Sequence, residues 1–151
     1  MILPYSMQIG DESTSVIAGL NVTKNSDDWS YGGQITFKSI INDKDWNFGD
    51  SLSLNGWAGK SLSDTLWGSV RLSYSDVDSI DGRDMRIMAP VQTANPKNYG
   101  GSSFKLSLGL DKTLTNGDSL GLELTVPFEQ KLNGPQMEED LTLTIGYKKG
   151  F

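Results

Sequence analysis

The sequence predicts an all-β fold: an antiparallel up-and-down meander of about seven long strands, of the kind that crosses a bilayer as a barrel. Three observations carry this expectation. Apolar and polar side chains alternate over long segments, the connections between those segments alternate short and long, and no apolar run approaches the roughly 20 residues of a transmembrane helix. Successive side chains of a strand point to opposite faces, so a hydrophobic period of two means one apolar and one polar surface.

The strands follow in order. Residues 13–24 set Val16, Ala18, Leu20 and Val22 against Ser15, Gly19, Asn21 and Thr23. Residues 31–38 set Tyr31, Ile35 and Phe37 against Gln34, Thr36 and Lys38. Residues 51–59 place Leu52, Leu54 and Ala58 opposite Ser53, Asn55 and Trp57, and residues 66–75 place Leu66, Val70, Leu72 and Tyr74 opposite Trp67, Ser69, Arg71 and Ser73. Trp57 and Trp67 interrupt the polar surface. Residues 102–113 carry Phe104, Leu106, Leu108 and Leu110 against Lys105, Ser107, Gly109 and Asp111. Residues 119–129 carry Leu120, Leu122, Leu124, Val126 and Phe128 against Gly121, Glu123, Thr125 and Glu129. In the last segment, 141–151, Leu141, Leu143, Ile145, Tyr147 and Phe151 share one surface while Thr142, Thr144, Gly146 and Lys148 share the other. Soluble strands are usually about 5–6 residues long, whereas about 9–11 are needed to cross a bilayer at a tilt.

The connections 25–28, 60–64 and 116–118 are short, and 39–50, 76–101 and 130–140 are long. Short turns on the periplasmic side and long loops outside are the pattern of outer-membrane barrels. The turn at Asn116-Gly117-Asp118 is a hairpin signal, with glycine supplying the positive φ of a tight turn. For the polar surfaces of its two strands to coincide, opposed residue numbers must sum to an even number, which favours a three-residue loop and sets Lys105 opposite Glu129. Pro127 cannot donate to a ladder, so a bulge is predicted there.

Composition narrows the function. The net charge of −6 argues against nucleic acid as a partner, because phosphate recognition needs a basic footprint. With no histidine and no cysteine, the commonest zinc and copper ligands are missing, and no Ser-His-Asp arrangement can form within this sequence. Neither a cofactor nor a metal is expected, and no enzymatic role is predicted. Only 36% of residues are apolar, which suits a barrel that shows lipid every second side chain. The first seven residues lack the basic and apolar regions of a signal peptide, and they read as the middle of a loop. A fragment is therefore expected, one that opens inside an extracellular loop with its missing partner strands upstream. Taken alone, the seven strands should form an open, curved sheet or a forced closure, because two edges lack partners.

Two resemblances add to this reading. The spacing Thr144-x-Gly146-x-x-x-x-Phe151 resembles the C-terminal aromatic signal by which outer-membrane barrels are recognised for insertion, although Lys149 stands where a second apolar residue is common. Gly146, Tyr147 and Phe151 are its candidate residues, and the barrel-insertion machinery is the partner it implies. Residues 121–146, with Ala89-Pro-Val-Gln-Thr-Ala-Asn-Pro96 upstream, resemble the C-terminal half of outer-membrane transporter-like proteins of the phenol-degradation meta-pathway type. That resemblance implies a larger barrel in the outer membrane of a Gram-negative bacterium, in contact with the lipid bilayer and passing a small-molecule solute.

On the polar surface Lys38, Arg71, Lys105, Asp111, Glu123 and Glu129 would line a lumen. They would act either as a selectivity ladder or as cross-strand pairs filling a narrow barrel. In the loop 76–101, Asp76, Asp78, Asp81 and Asp84 lack the spacing of a calcium site and read as a solvated acidic loop. Its Met85, Ile87, Met88 and Val91 suggest that part of the loop plugs the lumen or packs on the rim. Tyr31, Phe37, Tyr74, Phe104, Phe128, Tyr147 and Phe151 lie on the apolar surface near strand ends, as interfacial girdles require. The expected function is a channel or transporter for small solutes, hydrophobic ones among them. The alternative is a soluble all-β binding module or sandwich whose apolar surface meets a core, and it requires a soluble monomer. A barrel hydrolase would need histidine from outside this sequence.

Overall fold

A computed structural model describes residues 3–8, 10, 12–41, 45–88 and 90–150. Seven strands form one antiparallel sheet: β1 (Ser15–Asn25), β2 (Trp29–Ile40), β4 (Ser51–Ser63), β5 (Leu66–Val77), β7 (Gly101–Thr113), β8 (Ser119–Leu132) and β9 (Thr142–Lys148). They lie side by side in chain order, as a meander must. Two short strands, β3 (Trp46–Asn47) and β6 (Asp81–Gly82), pair within the long loops. All seven predicted strands are present, most of them longer than expected. Among the described residues β1 and β9 are each paired on one side only, so the sheet is open. No helix among the described residues is long and apolar enough to cross a membrane.

The register keeps each surface in step across the sheet. Leu20, Ile35, Leu54, Tyr74 and Phe104 form one cross-strand row, and Tyr31, Ala58, Val70, Leu108, Leu124 and Leu143 form another. Nothing covers this apolar face among the described residues. Leu20, Ile35, Leu72, Leu108, Leu122 and Ile145 keep between 43% and 68% of their surface exposed. Near the long-loop end Tyr74 and Phe104 stack at 4.5 Å and Phe104 meets Phe128 at 5.8 Å. Near the short-turn end stand Tyr31, Tyr147 and Trp29, with the Lys60 ammonium 5.1 Å from the Trp29 ring centre. Tyr31 and Phe37 are six residues apart on β2, roughly 20 Å along the strand.

The two tryptophans of the polar face rest on glycines of the neighbouring strand. A Cβ at Gly32 would fall 2.6 Å from the Trp57 ring, and one at Gly59 would collide with the Trp67 indole. Bare backbone at these positions lets the rings lie against the sheet.

The hairpin between β7 and β8 is closed by Leu114 N–H donating to Asp118 C=O, leaving three residues, 115–117, at its tip. The loop length is as predicted but sits one residue earlier, so Lys105 opposes Pro127 rather than Glu129. The predicted bulge is present: the register shifts between Phe104 and Lys105, opposite Phe128. One extra residue reverses the alternation beyond it. Glu129 consequently opposes Phe104 and leaves the polar face.

The buried apolar side chains lie in the loops rather than in the seven-stranded sheet. Tyr5, Trp46, Ile80, Ile87 and Ala94 form a small core, with Phe48 and Tyr99 against it, at the end where the long loops gather. Tyr5 packs edge-on against Trp46 at 4.7 Å, and its hydroxyl accepts the Asp84 N–H at 2.9 Å. The third long loop joins through Gln136 Nε2, which donates to Gly100 C=O at 2.6 Å. The apolar residues of loop 76–101 thus divide. Ile87 enters this core, whereas Met85 and Met88 are 79% and 88% exposed and Val91 is half-exposed, so of the four only Ile87 packs inward.

Two buried carboxylates fasten the two ends. Asp84 accepts two side-chain bonds from the Arg86 guanidinium, at 2.9 and 3.0 Å, and these hold its carboxyl below the ordinary value. It too departs from the expected solvated loop. At the other end Asp118 accepts from the Tyr147 hydroxyl, then from the Gly150 N–H and the Asn116 amide, and its carboxyl is lowered by those bonds. A carboxyl whose pKa is depressed on folding contributes stability above its unfolded value, about 3.9, and loses it as pH falls through the folded value. Acid titration followed by tryptophan emission is expected to show the loop core loosening below about pH 4. Asp84→Asn is expected to flatten that transition.

Candidate functional site

The polar face is built from short hydroxyl and amide side chains. Ser75 bonds Ser103 at 2.9 Å, Ser107 bonds Thr125 at 2.8 Å, and Ser73 donates to Asn55 at 2.8 Å. Directly opposed residues on neighbouring strands lie close enough for such contacts, so the register alone generates this ladder. Across it runs one ion pair: Arg71 on β5 donates through Nη2 to both carboxylate oxygens of Glu123 on β8. The two strands are not neighbours. The intervening β7 presents Ser107 and Gly109 beneath the pair, and their small size lets the guanidinium reach over.

A cavity of about 360 Å³ opens beside the pair, lined by Gln34, Asn55, Trp57, Ser69, Arg71 and Glu123. It offers one cation, one anion, two amides and an indole ring. With side-chain exposures of 41% and 32%, Arg71 and Glu123 are wet enough for the pair to stabilise the fold by only about 0.2–1 kcal/mol. Its position, spanning two strand spacings of the polar face, is the more consequential property.

Of the six predicted lumen residues, Arg71 and Glu123 are brought together. Lys38 lies on the same face at the long-loop end, opposite Ser51. Lys105 also stays on that face, but its ammonium donates to Glu139 at 2.5 Å. Glu139 belongs to the third long loop, which Gln130 ties down through its Nε2 to Glu139 C=O and its Oε1 from Glu139 N–H. Asp111 is exposed near the short turns, beside Gly121. Glu129 stands across the bulge and pairs with Lys131 at 2.7 Å. The predicted Lys105–Glu129 pair is therefore replaced by two separate pairs.

Sequence reading did not single out Gln34, Asn55 or Trp57 as a group. Alternation within each strand places all three on the polar face, but their convergence on Arg71 depends on strand order and register. For the C-terminal candidates, Gly146 pairs with Gly121 in β8, and Tyr147 bonds Asp118; Phe151 lies outside the described residues. Comparison of the chain with family models, with curated proteins and with solved structures gave no match.

Proposed function

We propose that this sheet belongs to an outer-membrane β-barrel whose apolar face meets lipid and whose polar face lines a path for small solutes. The observation that carries the reading is the uncovered apolar face. A soluble sheet buries one face under a second layer, and soluble monomers rarely expose contiguous apolar patches above a few hundred Å². Here six strand spacings of about 4.8 Å and roughly 20 Å between the aromatic rows give several hundred Å² with no layer over them. The aromatic residues at both ends match the girdles of such barrels, and the three short and three long connections match their two sides. Backbone groups in lipid must all be paired. As first and last of seven antiparallel strands, β1 and β9 run in the same direction, so an all-antiparallel closure needs an odd number of further strands between them. The resemblance to transporter-like proteins of the phenol-degradation meta-pathway type points the same way, and a bacterial outer membrane is the location it implies.

In this reading Arg71 and Glu123 stand in the solute path, where charged side chains set permeation. Glu123→Gln removes a negative charge and leaves Arg71 in place. In the intact protein in a planar bilayer, the reversal potential under a salt gradient is expected to move toward the anion's equilibrium potential. An unchanged reversal potential would remove the pair from the path.

A further inference from the structure

The polar face holds one group that its hydroxyls, amides and charges do not explain, the indole of Trp57. It lies over the bare backbone of Gly32 and lines the cavity of about 360 Å³ beside the Arg71–Glu123 pair. Among the described residues no other ring and no cation stacks on it. Trp57 is the cross-strand partner of both Gly32 and Arg71, so the register makes the ring and the guanidinium neighbours.

The polar groups around the ring keep bonding capacity. Arg71 uses Nη2 alone for Glu123, which leaves its Nε and Nη1 donors without a partner among the described residues, and the carboxylate oxygens retain lone pairs. Asn55 accepts from Ser73 through Oδ1 while its Nδ2 has no partner among the described residues, and the Gln34 amide makes no bond among them. Arg71 and Glu123 also neutralise each other. A charged ligand would have to break that pair, whereas a neutral one with adjacent hydroxyls donates to Glu123 and accepts from Arg71 with the pair intact. A pyranose ring meets both demands. Hydroxyls project from its rim, and its C–H groups form an apolar, positively polarised face that suits the negative face of an indole. The volume stands at the small end of ligand sites, about 300–1,000 Å³.

We propose that this cavity binds one ring of a neutral saccharide, its C–H face against Trp57 and its hydroxyls bonded to Gln34, Asn55, Arg71 and Glu123. This names the solute of the path proposed above and rests on that reading. The test is calorimetric titration of the full chain, folded as judged by its circular dichroism, in an amine-oxide detergent whose headgroup carries no sugar. Saturable binding of methyl β-D-glucopyranoside is expected. Sorbitol has hydroxyls without a ring face, cyclohexanol a ring without adjacent hydroxyls, and benzoate a flat ring with a charge; each is expected to bind about tenfold more weakly or worse. Trp57→Ala is expected to weaken the glucoside about tenfold, Trp57→Phe, which keeps a ring, about twofold, and Gln34→Ala about threefold. Trp67→Ala, on the polar face but outside the cavity, is expected to leave the affinity unchanged. No saturable glucoside binding, equal or tighter binding of any of the other three compounds, or an unchanged affinity in Trp57→Ala or Gln34→Ala would each overturn the proposal. In a planar bilayer the glucoside is expected to reduce the ion current. Current without saccharide binding would strike the saccharide and leave the path, whereas binding without current would strike the path and, with it, the saccharide as its solute.

Discussion

Leu108→Arg is expected to destabilise the protein in a lipid bilayer by about 2–4 kcal/mol, the cost of a cationic side chain near the midplane on the lipid face of a barrel. Leu108 sits near the middle of β7, and 55% of its surface is exposed. If that surface met water, the same substitution would fall within about 0.5 kcal/mol of neutral, as exposed positions usually do. Ser53→Lys, on the polar face in the row of Thr36 and Ser75, supplies the comparison and is expected to cost little. Urea unfolding of both variants in vesicles measures the difference. Equal, small effects would mean that the two faces see the same solvent.

Trp46→Ala is expected to cost the loop core about 3–5 kcal/mol, the usual penalty for truncating a buried tryptophan. Trp46 is 6% exposed and contacts both Tyr5 and Phe48, at 4.7 and 5.3 Å between ring centres. The loss should remain local, because the ladders of the seven-stranded sheet do not pass through this core. Trypsin cleavage at Arg83 and Arg86 is expected to accelerate about a hundredfold or more, following the factor of ten per 1.4 kcal/mol. The far-ultraviolet circular dichroism of the strands is expected to hold. Concerted loss of both signals would show that loops and sheet unfold as one unit.

The seven strands were legible because each repeats its period over seven or more residues, enough to define a face without knowing its neighbours. The bulge was legible from Pro127 alone. Its consequence was not: one extra residue at Phe128 reverses parity, which moved Glu129 off the polar face and gave Lys105 to Glu139. Parity also placed Arg71 and Glu123 on one surface, yet it could not pair them, because they meet across a strand that lies between. The loop core was illegible for a different reason. Tyr5, Trp46, Ile80, Ile87 and Ala94 sit singly in segments without periodicity, and they converge only when two loops and the N-terminal segment are brought to one end.

The most direct test of the lipid-facing surface uses the absence of cysteine, which makes single-cysteine variants clean. Spin labels placed one at a time from Ser103 to Leu110 on β7 report collision with oxygen, which concentrates in lipid, and with a polar nickel chelate, which stays in water. The expected result is a period of two: oxygen favoured at Phe104, Leu106, Leu108 and Leu110, and the chelate at Ser103, Lys105, Ser107 and Gly109. Labels at the leucines shielded from both reagents, or reached by both as readily as their neighbours, would contradict a lipid-facing sheet.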